Sequence, residues 1–415
     1  MAELSSRTVL SSSQLVDGAA AVFIDLLDRH LTDASLRLDL DGRTIVCGAR
    51  DGRGGALPGA VRLRIERRRF FARVLGDGSL GMGEAFIDGD FTVEEGELHE
   101  LLTALVRNRI DRRLRRDPRT LARVLGVQAF NLVRRHQWSH VQRHYDLGPD
   151  LFASFLDESM TYSCGYAETE GDDLETMQRQ KLDRICRKLE LKPDESLLDI
   201  GCGYGGLLTF AARNYGVTGI GITNSRDHCR VGNERIAAAG LGDRIRLELR
   251  DHRTIDGRFD KVVSVGMLEH LPRREYRRYF ARITKVLAPQ GVALVHAIGC
   301  SAPRVEHDPY IQRYIFPGSG QMLLSDVAHE LERHSLRIRD VENIARHYGY
   351  TVLHWLARFR KNAPSLDPAR YDAAFRRLWE YYFHCGIAGA FASDGAVYQV
   401  LFGRDYAAPV PLRRV

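Results

Sequence analysis

The pattern of apolar and polar positions changes texture twice along the chain. Up to about residue 108 (1–108) the pattern is one of short mixed elements. Helical spacing of apolar residues predicts an amphipathic helix near Val22–His30. Alternation predicts strands over Leu36–Leu40, Val61–Ile65 and Phe70–Leu75. A glycine-rich stretch over 81–89 and an acidic helix start at Glu94–Glu100 follow. This is the text of a small α+β accessory domain without a catalytic motif of its own. Residues 109–144 form an arginine-rich helical link, broken at Pro118, with an imperfect apolar stripe of Leu121, Val124, Leu125, Val127, Leu132 and Val133. From residue 145 onward (145–415) helical and strand patterns alternate over roughly 160 residues, the signature of a doubly wound α/β sheet. Internal repeats and low-complexity tracts are absent from the sequence.

Composition sets outer limits on this picture. The 415 residues correspond to two or three domains. With 44% hydrophobic and 27% charged residues, a disordered chain and a disulfide-stapled miniprotein are both excluded. No apolar run approaches the ~20 residues that span a bilayer. The first 16 residues are polar and serine-rich, so no signal peptide is expected. Seven cysteines without a C-x-x-C pair favour a reducing, cytoplasmic setting, and neither a disulfide framework nor a metal site is expected.

Charge adds a local feature. The net charge is +6, and only six of the 60 basic residues are lysines, which one reading assigns to the codon bias of the source genome. The sharper reading is positional. Between Val106 and Arg143 eleven arginines face two aspartates, Asp111 and Asp117. Such a block meets an anionic partner, either a membrane surface or a nucleic acid, unless it is a solvated helix face. Charge alone does not choose.

The strongest motif runs from Ser196 to Gly206, S-L-L-D-I-G-C-G-Y-G-G, followed by a helix over Leu207–Asn214. An apolar strand enters a turn in which Gly201, Gly203 and Gly205 let a ligand approach main-chain N–H groups without a Cβ in the way. No G-K-[ST] follows, which excludes a P-loop. The string resembles motif I of class I S-adenosylmethionine-dependent methyltransferases, and that resemblance gives Asp199 the support of the loop. The next strand ends in Thr223–Asn224–Ser225, without the acidic residue that ordinarily accepts from ribose hydroxyls. Thr223, Ser225 and His228 are the polar groups available there. Asp251, with His252 beside it, stands where the adenine side would be contacted, or is an ordinary loop aspartate.

Further strings extend the match: His144–Gly148 (H-Y-D-L-G), Thr161–Tyr166 (T-Y-S-C-G-Y), Val265–His270 (V-G-M-L-E-H), Val295–Gly299 (V-H-A-I-G), Arg313–Gly318 (R-Y-I-F-P-G), and His347–Tyr348 with Thr351 and Trp355. Over residues 80–403 the chain resembles the cyclopropane-fatty-acyl-phospholipid synthases and the related mycolic acid cyclopropane synthases. The fold implied is a Rossmann-like class I methyltransferase domain with a small N-terminal α+β domain. The activity implied is transfer of a methylene group from S-adenosylmethionine to the cis double bond of an unsaturated phospholipid acyl chain. An isolated alkene is a poor nucleophile. Its attack on a sulfonium methyl develops carbocation character, and ring closure needs a base, so the site must be dry and tolerant of positive charge. In the resembling enzymes the base is a bound bicarbonate. The resemblance places its pocket at Cys164, Glu269, His296, Ile298 (through its backbone) and Tyr348. Tyr162 and Ser163 match the segment that closes over the cofactor.

Taken singly, these residues have plainer readings: an ion-pair carboxylate for Glu269, a core histidine for His296, an inert buried thiol for Cys164, a core aromatic for Tyr348. Glu269 and His296 gain weight from standing at the ends of consecutive predicted strands, where ligands bind in open α/β sheets. Three departures from the family pattern stand out: Tyr204 where tryptophan is common, His228 for a glutamine, and Ile387 where a cysteine precedes Ala388–Gly389. Cys385 receives no role. The alternatives are a methyl-branched or methylene acyl product from the same site, methylation of a soluble small molecule, and a nucleic-acid-binding protein. No nucleic-acid partner is expected, because the arginines are not interleaved with stacking aromatics. The expected setting is the inner face of the membrane, held peripherally by an anionic surface; a homodimer is among the states the resemblance allows.

Overall fold

A computed structural model describes residues 18–118, 121–122, 124–125, 147–301, 308–392 and 395–405. Most of the arginine-rich link and the His144–Asp146 part of one family string lie outside the described residues. In chain order the first elements are α1 (Ala19–His30), β1 (Ser35–Leu40), β2 (Arg43–Gly48), β3 (Val61–Ile65), α2 (Arg69–Asp77), α3 (Ser79–Ile87), β4 (Phe91–Glu95), α4 (Leu98–Arg107) and α5 (Ile110–Arg116). Then come α6 (Pro149–Ala153), α7 (Leu174–Lys188), β5 (Ser196–Ile200), α8 (Gly206–Tyr215), β6 (Thr218–Thr223), α9 (Arg226–Ala238), β7 (Ile245–Leu249) and β8 (Phe259–Val265). The last are α10 (Arg273–Val286), β9 (Leu287–Cys300), α11 (Pro309–Tyr314), α12 (Leu324–Arg333), β10 (Arg337–Asn343), α13 (Ala345–Asn362), α14 (Ala373–Phe391) and β11 (Gly395–Gly403).

Contacts divide the chain into two compact units. The first holds residues 1–146, 308–315 and 367–392; the second holds 147–307, 316–366 and 393–415. Texture alone had suggested one uninterrupted span from 145 to 415, whereas α11 and α14 belong with the N-terminal elements.

In the first unit a four-stranded sheet has the order β2-β1-β3-β4, with β1 and β3 parallel and the other pairs antiparallel. Phe23, Phe70, Phe71 and Phe91 meet edge to face at 5.1–5.6 Å in its core. The stretch Phe70–Leu75, expected as a strand, is helical. Its apolar Phe70, Phe71, Val74 and Leu75 satisfy a 3.6-residue period as well as a β run, and Ala72 and Arg73 favour the helix. Arg73 is buried because its guanidinium donates to the fully buried Asp90 carboxylate at 2.9 Å. The glycine-rich stretch is the helix α3. A Cβ at Gly83 would stand 2.3 Å from the Tyr310 ring and 2.7 Å from the Tyr381 ring, so only glycine admits both aromatics.

The second unit carries a seven-stranded sheet of order β10-β11-β9-β8-β5-β6-β7. Strands β9, β8, β5, β6 and β7 run parallel, and β11 pairs antiparallel with both β9 and β10. Successive side chains leave opposite faces of a strand. Leu198 and Ile200 accordingly join one apolar cluster, with Phe280 and Val295, while Leu197 joins the other, with Leu208 and Ile245. Strand order reverses between β5 and β8, and a crevice opens at their carboxyl ends. Among the described residues no helix is long and apolar enough to cross a membrane.

Gly83→Ala is expected to destabilise the first unit by about 1–3 kcal/mol through overpacking. Gly389→Ala, also helical but in open space, is expected to be neutral or stabilising by up to about 1 kcal/mol. Urea unfolding of the two variants checks the contrast.

Candidate active site

Strand β5 delivers the chain into a turn that only glycines accommodate. Gly201, Gly203 and Gly205 have φ of 80°, 53° and 80°. The loop is anchored to β6 by the N–H groups of Gly201 and Cys202, which donate to the Ile222 carbonyl at 2.9 and 3.0 Å. A Cβ on Gly203 would meet nothing within 4 Å, so that main chain is open to a ligand. The turn forms one wall of a cavity of about 460 Å³, within the usual range of small-molecule sites.

Of the residues expected at the cofactor, Tyr162, Ser163, Asp199, Gly201 and Gly203 line this cavity, as do Thr223, Ser225, His228 and His252. Gly205 does not; it caps α8, and a Cβ there would press on Leu247 at 3.2 Å. Asp251 does not either. The Arg253 side chain and N–H both donate to its carboxylate, and these bonds hold its pKa down at about 2. After β6 the polar groups serve local structure first: Thr223 Oγ1 accepts from the Ser225 N–H, and Ser225 caps α9 by accepting from the His228 N–H. The His228 ring lies 4.4 Å from the Tyr204 ring, and burial lowers its pKa, so it is neutral at pH 7.

Behind the loop sits a residue that sequence reasoning missed. Lys181, on α7, is 1% exposed and lines the cavity. Its ammonium donates to Ser163 Oγ at 3.1 Å, while Gln178 donates to the Ser163 carbonyl at 2.8 Å. Burial lowers the Lys181 pKa to about 8 and raises that of Asp199 to about 7. The two charges oppose those shifts in each other, so the ammonium holds the Asp199 carboxyl lower than burial alone would. A signal was present. In a chain with only six lysines, Lys181, Lys188 and Lys261 are all buried. Lys261 donates to the Leu189 carbonyl at 2.6 Å and Lys188 to Glu342 at 2.6 Å. A compact ammonium fits these places where a planar guanidinium does not.

The five residues expected around a base do not line the 460 Å³ cavity; they gather next to its Gly266 edge. Val265 at the end of β8 pairs with His296 of β9, and the Gly266 N–H donates to the His296 carbonyl at 2.8 Å. Glu269, in the 3₁₀ turn after β8, is 5% exposed. Its Oε1 accepts from the Ile298 N–H at 3.2 Å, and its buried Oε2 has no hydrogen-bond partner among the described residues. Burial pushes the Glu269 carboxyl up to about 7. Cys164, Ile298 and Tyr348 share one apolar cluster with Ile344 and Val397. The Cys164 thiol donates to the Gly165 carbonyl at 3.0 Å, and burial raises its pKa, so it is a thiol rather than a thiolate.

His296 is 2% exposed, and burial, reinforced by Lys181 and Lys188, lowers its pKa to about 3. It is therefore neutral. Its Nδ1 lies 3.4 Å from Nε2 of Gln399, a fully buried residue of β11. When the Gln399 amide donates here, Nδ1 accepts and the imidazole proton falls on Nε2; when its Oε1 faces Nδ1 instead, the proton falls on Nδ1. Gln399 was not singled out from sequence, although a glutamine within A-V-Y-Q-V-L-F-G is the anomaly that marks it.

A glycine turn at the sheet's switch point, a cavity beside it and buried ionisable groups at the ends of β5 and β8 define a class I S-adenosylmethionine-dependent methyltransferase. The structure of mycolic acid cyclopropane synthase CmaA1, complexed with SAH and CTAB, is similar over 63% of this chain and 96% of that one, with 28% identity and a TM-score of 0.58. The chain belongs to the mycolic acid cyclopropane synthetase family, whose model matches residues 133–400. The cyclopropane-fatty-acyl-phospholipid synthase of Escherichia coli K12 is 37% identical over 344 residues, covering 82% of this chain and 87% of its own. Tuberculostearic acid methyltransferase UfaA1 of Mycobacterium tuberculosis is 32% identical over 407 residues, covering 93% and 91%. The protein is thus a methyltransferase of the cyclopropane-fatty-acyl-phospholipid synthase type.

The Glu269 pKa has a consequence for stability. It stands above the ordinary carboxylate value, so the folded state holds the extra proton. Stability from this group is full at low pH and falls as the pH rises toward 7. Glu269→Gln is expected to stabilise the protein at pH 8 by on the order of 2 kcal/mol, a gain that shrinks as the pH falls toward 5. Thermal unfolding of both forms across that range checks it.

Proposed function

We propose that the chain converts the cis double bond of an unsaturated phospholipid acyl chain into a cyclopropane ring, with bicarbonate as the base. When bound, S-adenosylmethionine supplies an electrophilic methyl carbon, and bicarbonate supplies a base for the one proton that ring closure releases. The observation that carries this reading is Glu269, buried, with Oε2 lacking a hydrogen-bond partner among the described residues and Oε1 held by the Ile298 N–H, two residues along β9 from a buried, neutral His296. A carboxylate oxygen in need of a donor and an imidazole that donates suit an anion with one hydroxyl and several acceptor oxygens. Ile298 fixes Glu269 through its N–H, Gln399 stands at Nδ1 of His296, where a donating amide leaves the Nε2 proton to the anion, and Cys164 and Tyr348 give the pocket apolar walls. The aromatic ring of Tyr348 favours positive charge nearby by roughly 0.5–2 kcal/mol.

On the cofactor side, the Gly201–Gly203 backbone receives the amino-acid moiety. Lys181 favours the ionised form of Asp199 and holds Ser163, while Thr223, Ser225, His228 and His252 surround the nucleoside. A second reading keeps this site and ends in a methyl-branched or methylene acyl product; the likeness to a tuberculostearic acid methyltransferase over 93% of the chain favours considering it. Mass spectrometry of lipids from cells expressing the protein, with methyl-labelled S-adenosylmethionine, separates the two. A ring adds the mass of one CH₂ and takes up no hydrogen under mild hydrogenation. A methylene product takes up two hydrogens, and a saturated branch is heavier than the ring by two from the outset.

Glu269→Gln and His296→Ala are each expected to lower turnover by at least about 100-fold and to leave S-adenosylmethionine binding largely intact by calorimetry. Equal loss of cofactor affinity would sink the assignment. The reading also includes an anionic membrane surface as partner to the arginine block. Reversing several arginines within 107–135 is expected to weaken binding to anionic vesicles by about 1 kcal/mol per residue, less so at high salt. Flotation measures it, and binding to RNA alone would overturn the lipid partner.

A further inference from the structure

The first unit contains a cluster of metal-ligating side chains that methyl transfer does not use. His99, in the first turn of α4, and His384, on α14, are 285 residues apart in sequence, yet their Nδ1 atoms lie 3.3 Å apart. Their rings are nearly parallel, at 21°. Glu97, the N-cap of α4, adds a carboxylate oxygen, and one ligand atom from each of the three lies within 4.8 Å of the others. His384 is 1% exposed, while Glu97 and His99 are half-buried, so the cluster opens to solvent on one side. One turn before His384 on the same helix, a Glu380 carboxylate oxygen stands 3.8 Å from His384 Nε2.

We propose that Glu97, His99 and His384 bind a divalent transition-metal ion of the zinc type, which clamps α4 to α14. The donor set is two imidazoles and one carboxylate, which suits zinc and its neighbours rather than calcium or magnesium. The spacing agrees with this. Nitrogen ligands about 2.0–2.1 Å from a tetrahedral ion are about 3.3–3.4 Å from each other. The tautomer agrees as well. A carboxylate facing Nε2 favours the proton there and leaves the Nδ1 lone pair pointing toward His99, the carboxylate–histidine–metal arrangement of known sites. Glu97 is held at its post by the capping geometry of α4, where its N–H donates to Glu100 at 2.9 Å. Water completes the fourth position. None of the three ligands is a cysteine and the third comes from the far end of the chain, so spacing rules for zinc motifs pass over them.

The test uses the full chain without an affinity tag, stripped with a chelator and then titrated with zinc chloride by calorimetry. Cobalt(II) serves as a spectroscopic substitute. The expected results are one ion per chain, the intense visible absorption of tetrahedral cobalt, and a higher melting temperature with zinc. His99→Gln, at a half-buried position, is expected to weaken binding more than tenfold and remove the melting shift. Glu380→Gln is expected to weaken it about tenfold at unchanged stoichiometry. His384 is too buried for its replacement to be informative on its own. If His99→Gln binds zinc as the wild type does, or if no one-to-one binding occurs, the contact is only a hydrogen bond between two imidazoles, and the proposal falls.

Discussion

The parallel pairing of β5 with β8 is the constraint on which the site depends. Asp199 lies in register with Val263, so the glycine turn after β5 and the Gly266–His270 turn after β8 emerge side by side. The same sheet then sets the partners of both turns. β6 anchors the glycine loop through the Ile222 carbonyl, and β9 brings His296 opposite Val265. On the outer side of β9, β11 pairs Gln399 with His296 and Val397 with Ile298. A slip of one residue in any of these ladders would turn every such side chain to the opposite face. The chemistry is thus positioned by backbone hydrogen bonds before any side chain makes a contact.

Within that frame the protein buries ionisable groups and manages their charge by pairing or by neutrality. Lys181, its pKa lowered to about 8 by burial, stands near Asp199, raised by burial to about 7, and each favours the charged form of the other. Glu269 and His296 are pushed toward their neutral forms instead, with pKa values near 7 and 3. The two halves of the site therefore differ in electrical character: a buried ammonium beside the cofactor loop, and at the ends of β8 and β9 a neutral imidazole with a carboxyl that titrates near neutral pH. In so buried a pocket an added anion or a developing cation meets little solvent screening.

Much of this was legible in the sequence because it is local. The glycine loop reads directly, since strand, turn and helix follow one another within eleven residues. Glu269 and His296 were marked by their positions at strand ends. The residues that escaped notice act across distance in the chain. Lys181 reaches Ser163 from the next helix, and Gln399 reaches His296 across 103 residues. Local reading also misassigned Phe70–Leu75, where one apolar set serves two periodicities and the deciding partner of Arg73 is Asp90. It left Asp251 open between the adenine side and an ordinary loop aspartate, and could not see that Arg253, two residues on, bonds that carboxylate. Contacts divide the chain at residue 146, close to where its texture changes, but the grouping of 308–315 and 367–392 with the N-terminal elements was not legible, because nothing in the texture of α14 tells which core its apolar face will join.

That interleaving of α14 has a consequence for how the protein is made. The first unit is closed only when residues 367–392 arrive, although most of it lies within the first 146. The large sheet waits for β11, ending at Gly403, which stands between β9 and β10 and cannot be replaced by either. Chains commonly fold domain by domain as they leave the ribosome, the N-terminal one first. Here neither unit has that privilege. Both remain unfinished, with apolar faces exposed, until residues 367–403 have been made, a longer exposure to aggregation than a simple succession of domains would bring.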